Sequence, residues 1–292
     1  MDSVPFLFCE AVCAVPKDLD ALIKLSSGNP RCKVWKAAAA GIEERRVTVD
    51  RVSIDCVSGV WSYEICKSEE DGETCTFEDL KAIDKRHLRI NAICIDHDCV
   101  YQAQKSTLDV IRELAKYLLP FINMTAISIS EDASISTEIL AEFLSLYQNS
   151  AFDDIGSWRC CREVEEFLKI QLQSHYVHTF IINVPGWSEE IREAVEQFAL
   201  RNQFSLVILN AYETRLVLGF EFFQNLFQKP VQRGLPSSRF VGVFDFEFSD
   251  LRSFNEELQV PSDAHKIVWR REDGVKITVQ IIQSRYAVDM EF

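Results

Sequence analysis

Apolar and polar positions fall into a recurring unit along the chain: a short β-branched apolar run, a polar turn, then an amphipathic helical stretch. The apolar runs are Leu88 to Ile95, Met124 to Ile129, Val177 to Val184, Phe204 to Leu209 and Phe240 to Phe248. Their first residues lie 36, 53, 27 and 36 positions apart, which suits one strand and one helix per unit rather than a meander. One helical stripe joins Leu108, Ile111, Leu114, Ala115 and Leu118, with Ser106 expected as its cap and Asp109 in its first turn. A second joins Ile139, Leu140, Phe143, Leu144 and Tyr147, and a third follows Ser188 with Ile191, Ala194, Val195, Phe198 and Ala199. This alternation gives an α/β fold class, arranged as a stacked solenoid or as a doubly wound sheet. Unequal units without a glycine-rich phosphate loop favour an irregular leucine-rich-repeat-like strand-helix array.

The two ends depart from this pattern. Residues 1–45 read as a small helical module: Phe6 to Val15 is apolar nearly all round, Asp18 to Ser26 carries a stripe, and Gly28-Asn29-Pro30 breaks the chain. Cys32 to Ala40 resumes as helix, with Gly41 expected to end it. Residues 46–80 change to period two, with Ser58-Gly59 as the turn of a hairpin and the polar run Ser68 to Glu73 as a linker or boundary. The array is expected over 81–260. Residues 261–292 carry the strongest hairpin signal, Lys266 to Arg271 against Val275, Ile277, Val279 and Ile281, with a third strand through Tyr286, Val288 and Met290. This C-terminal antiparallel hairpin is expected to cap the open end of the array.

Charge narrows the partners. With 31 basic and 45 acidic residues the net charge is -14, which opposes attraction to phosphate backbones and anionic membranes. Nucleic acid and membrane are therefore not expected partners, and no window is apolar enough to span a bilayer. The ten cysteines sit irregularly within apolar stretches, as reduced thiols of an interior would. The start lacks the basic flank of a secretory signal, so a cytoplasmic or nuclear location is expected.

Four constellations could carry chemistry. Cys94-Ile95-Asp96-His97-Asp98-Cys99 concentrates soft and borderline ligands, with Cys160 or Cys161 as a further donor, but the spacing fits no common zinc pattern. His175 and His178 lack a glutamate partner and read as a turn with a packed ring. Phe240, Phe244, Phe246 and Phe248 alternate with Asp245 and Glu247, as a strand with one buried and one wet face does. Leu216 to Phe227 holds more apolar surface than one helical face can cover. No Gly-x-Ser-x-Gly, Cys-Gly-x-Cys-Trp or Gly-Lys-Ser segment occurs, so no catalytic residue, cofactor or metal is assigned. A non-enzyme is expected.

The first 40 residues are similar to an F-box. Val4-Pro5 stands at the opening, Phe8, Val12 and Cys13 fall on apolar positions of the first helix, and Asp18-Leu19 starts the second. Cys32-Lys33-Val34-Trp35-Lys36-Ala37 is similar to the family's close, whereas Leu7 and Gly28-Asn29-Pro30 depart from its pattern. In the divergent nematode F-box families such an opening precedes a leucine-rich or FTH-type array. The resemblance implies a substrate receptor of a Skp-cullin-F-box ubiquitin ligase. It would dock on the Skp-type adaptor through Pro5, Phe8, Val12, Leu19, Leu22 and Trp35 and hold an unknown target protein on the array. The alternatives are an interaction scaffold unrelated to ubiquitin and an α/β enzyme; the oligomeric state is left open.

Overall fold

The computed structural model describes residues 33–95, 102–131, 134–201, 204–209, 216–229, 238–247, 250–251, 266–270, 274–282 and 285–291. The helices expected before residue 33 lie outside that set. The chain divides into two compact units, 1–126 and 127–292, and the fold class is α/β.

In the first unit, helix α1 (Lys33–Arg45) leads into β1 (Val47–Val49), β2 (Arg51–Val57), β3 (Val60–Ser68) and β4 (Glu73–Cys75). Then come α2 (Phe77–Ala82), β5 (Leu88–Ile90), β6 (Ala92–Ile95), β7 (Gln104–Ser106) and α3 (Leu108–Leu118). Gly41 does not end α1: the helix runs on to Arg45, whose Nε donates to the Gly41 carbonyl at 2.8 Å. The expected hairpin is β2 with β3, closed by Ser58 (φ 52) and Gly59 (φ 78). Both turn residues are left-handed, the two-residue geometry that matches strand twist. The polar run at 68–73 joins β3 to β4 inside this unit. Thr107, not Ser106, caps α3, its Oγ1 accepting from Val110 N–H at 3.4 Å, because Ser106 is already committed to β7. One buried carboxylate, Glu64, is compensated from two sides. Arg51 lies 3.4 Å away, and the Gln102 N–H donates to its other oxygen at 2.7 Å.

Strand β8 (Asn123–Ile129) crosses the division, and the second unit continues with α4 (Thr137–Tyr147), β9 (Ala151–Ser157), α5 (Arg162–Leu172), β10 (Thr179–Ile182) and α6 (Glu189–Arg201). After these come β11 (Leu206–Leu209), β12 (Val217–Leu218), α7 (Phe220–Gln228), β13 (Ser238–Phe244), β14 (Lys266–Arg270), β15 (Lys276–Ile282) and β16 (Arg285–Glu291). Strands β9, β10, β11 and β13 are parallel and adjacent in chain order. An order that never reverses calls for crossovers of one hand, which place the connecting helices α5, α6 and α7 on one face of these strands. Consecutive helices α4 to α7 accordingly touch one another in turn. This settles the layout as a singly wound stack, not a doubly wound sheet. The C-terminal cap forms as expected: β16 pairs antiparallel with β13, β15 with β16, and β14 with β15.

Strand β9 and helix α5 were not anticipated. Strands β8 to β11 begin at residues 123, 151, 179 and 206, 27 or 28 residues apart, so the 53-residue gap between apolar runs hides a whole repeat. The core joins these repeats through aromatic rings. Phe198 of α6 lies 6.4 Å from Phe180 on β10 and 6.3 Å from Phe204, and Phe204 lies 6.3 Å from Phe240 on β13. Tyr147, Phe152 and Phe167 do the same one repeat earlier, at 6.5 and 6.0 Å. Lys229 ties the end of α7 to the end of α6. Its Nζ donates to the Ala199 carbonyl at 2.6 Å and sits 4.6 Å from the Phe204 ring centre.

Truncating the central ring tests this spine. Phe198→Ala is expected to lower stability by about 3–5 kcal/mol, read as a lower urea midpoint. A loss below about 1 kcal/mol would show that the rings do not couple the repeats. Lys229 gives a pH test. Burial pulls its pKa down from 10.5 to about 8, so between those values the unfolded chain holds the extra proton and folding stability rises with pH. Wild type should therefore gain on Lys229→Met between pH 8 and 10.5, and a constant difference in melting temperature would refute it.

Candidate functional site

Of the six candidate adaptor-binding residues, Pro5, Phe8, Val12, Leu19 and Leu22 lie outside the described residues. Trp35 is in α1, part-exposed, and heads the i, i+3, i+4, i+7 stripe whose Ala38, Ala39 and Ile42 are buried.

The chemical constellations separate. Cys94 is buried on β6 beside Ser53, and burial pushes its thiol up to about 11. Residues 96–99 lie outside the described set, and among the described residues no group of three or more donors could hold a metal ion. Cys160 and Cys161 are on the β9 to α5 connection, where burial raises both thiols, Cys160 to about 11. Protonated thiols are weak nucleophiles. His178 Nδ1 is 2.7 Å from Asp153 Oδ1, a pairing between β9 and the residue that leads into β10. Phe240, Phe244 and Phe246 are buried together while Asp245 and Glu247 are exposed, the arrangement of one dry and one wet face; Phe248 is outside the described residues. The apolar segment at 216–227 divides into β12 and α7, which bury Leu218, Phe222, Phe223 and Leu226, with Leu216 buried just before β12.

What remains is surface. Pairing register assigns each strand residue of the array to a face. Ile155, Phe180, Val207 and Phe240 are one buried row, against the helices. The opposite face carries Asp154, Thr179, Leu206 and Arg239 in one row, and Gly156, Ile181, Ile208 and Val241 in the next, all part-exposed. Trp158 belongs to that face too: a Cβ on Gly156 would come within 2.6 and 2.9 Å of its ring carbons Cζ3 and Cη2. The indole thus lies over the glycine, two residues along the same face from Asp154. The connection behind it is fixed. Arg159 is buried and donates to the Ile135 carbonyl at 2.8 Å, while Ser157 Oγ donates to the Arg159 carbonyl at 2.9 Å. On the helical face, shallow grooves separate successive helices, the first lined by Leu144, Phe167 and Ile170 between α4 and α5.

Sequence reasoning missed Asp154 and Trp158 because it missed β9. The signal was the 27- or 28-residue period, of which 53 is nearly twice.

Fold and surface define a class: an α/β protein whose second unit is a singly wound, leucine-rich-repeat-like array, capped by antiparallel strands, with one strand face open. Among the described residues no helix is long and apolar enough to cross a membrane. No family model matches the chain, and comparison with curated proteins and solved structures gave no match.

The indole platform requires the bare glycine. Gly156→Val is expected to displace the ring and lower the melting temperature, and Trp158→Ala added to it should recover most of the loss. Additive losses in the double variant would refute the contact.

Proposed function

We propose that this chain is a substrate receptor of a Skp-cullin-F-box type ubiquitin ligase, acting in the cytoplasm or nucleus. The observation that carries the reading is the F-box-like segment ending in Cys32-Lys33-Val34-Trp35, followed along the chain by a strand-helix array with an open strand face. In this reading the N-terminal segment docks on a Skp-type adaptor through Pro5, Phe8, Val12, Leu19, Leu22 and Trp35, and the array holds a target protein. The chain contributes no chemistry of its own; the ligase partners supply it. Thiols kept protonated by burial accord with that division of labour.

The test belongs on the full chain, since α1 contributes buried side chains that a truncation at residue 45 would remove. Purified protein is expected to retain a Skp-type adaptor in a pull-down. The pair Val12→Asp and Leu19→Asp, which places charge where an interface would desolvate it, should reduce capture at least tenfold with an unchanged melting curve. Absence of capture by wild type would overturn the ligase reading and leave an interaction scaffold.

A further inference from the structure

We propose that the open face of strands β9, β10, β11 and β13 binds an extended segment of a partner protein in which a lysine or arginine stands next to branched aliphatic side chains. This rests on the reading of the array as a target receptor and names the class of target.

The argument starts from one juxtaposition. Asp154 and Gly156 are two residues apart on one strand face, about 6.6 Å between Cα atoms, and the Trp158 ring covers Gly156. A carboxylate beside an aromatic face receives a cationic side chain twice over, by charge and by attraction to the ring quadrupole. From that point Ile181, Ile208 and Val241 continue the Gly156 row across three neighbouring strands, an apolar floor about 10 Å wide. Leu206 adds apolar surface in the Asp154 row, and Arg239 ends that row three strands away from Asp154.

Three alternatives fit less well. A strip four strands wide suits a chain segment better than a small molecule, which needs an enclosing pocket. A nucleic acid or an anionic membrane meets Asp154 and a net charge of -14. A second copy of the chain brings the same charge with it. A cationic segment is instead drawn in, because the acidic excess raises its local concentration before contact.

A phage library of short random peptides panned on the full chain supplies the probe, and the most enriched peptide is then synthesised. Enriched sequences should share Lys or Arg beside Ile, Leu or Val. Asp154→Lys should weaken the synthetic peptide at least tenfold, and exchanging the peptide's basic residue for Glu should restore binding to Asp154→Lys while losing wild type. Trp158→Leu should weaken binding as well; should that variant melt early, the charge exchange at part-exposed Asp154 decides alone. No enrichment, enrichment of acidic or uncharged peptides, or equal binding by wild type and Asp154→Lys would overturn the proposal. Adaptor capture lost with peptide binding intact would overturn the ligase reading only, and the converse would overturn this one only.

Discussion

Each repeat of the second unit buries its strand only because the next repeat supplies the other half of the contact, and phenylalanine rings carry that handover. Phe198 touches Phe180 of its own repeat and Phe204 of the next, and Phe204 in turn meets Phe240. Rings offset or edge-on at such spacings gain beyond their buried area, and a single strand-helix pair could not enclose them. The stack must also end somewhere. At this end the rings of Phe222 and Phe223 on α7, Phe244 on β13 and Phe246 close on one another, and β16 satisfies the edge of β13 that another repeat would have taken.

That one-sided packing dictates where recognition can occur. Because helices α4 to α7 pack side by side, the residues of β9, β10, β11 and β13 that face away from them stay part-exposed. Yet the surface is apolar at Ile181, Ile208 and Val241 and charged at Asp154 and Arg239, at the two ends of the next row, a composition closer to an interface than to an ordinary solvated sheet face. Strand β9 is where the two demands meet. Its burial alternates except at Asp153 and Asp154, both part-exposed, of which Asp153 engages His178 while Asp154 faces out.

The sequence made the helices α3, α4 and α6 plain, since their apolar stripes are uninterrupted, and both hairpins announced themselves through turn residues with a steric reason. Strand β9 was illegible because Ala-Phe-Asp-Asp-Ile-Gly-Ser has neither β-branched enrichment nor strict alternation; only pairing between neighbours holds it extended. Helix α5 was obscured by Gln171, a polar residue in its buried stripe whose Nε2 donates to the Gln148 carbonyl at 2.8 Å. Caps shifted by one residue, as at Thr107, where a strand claimed the expected Ser106. The Trp158 platform follows from i, i+2 geometry once β9 is known, and from nothing before it.

Buried charge among the described residues holds neighbouring elements in register. Three buried charged groups are each tied to a named partner: Glu64 to Arg51 and the Gln102 amide, Lys229 to a helix-end carbonyl, Arg159 to the Ile135 carbonyl. Each of these bonds pins one element to another, Arg51 joining neighbouring strands, Lys229 the ends of two helices and Arg159 two connections. The face away from the helices instead keeps Asp154, the Trp158 indole, Arg239 and a row of branched aliphatics part-exposed, within reach of solvent rather than tied into the core.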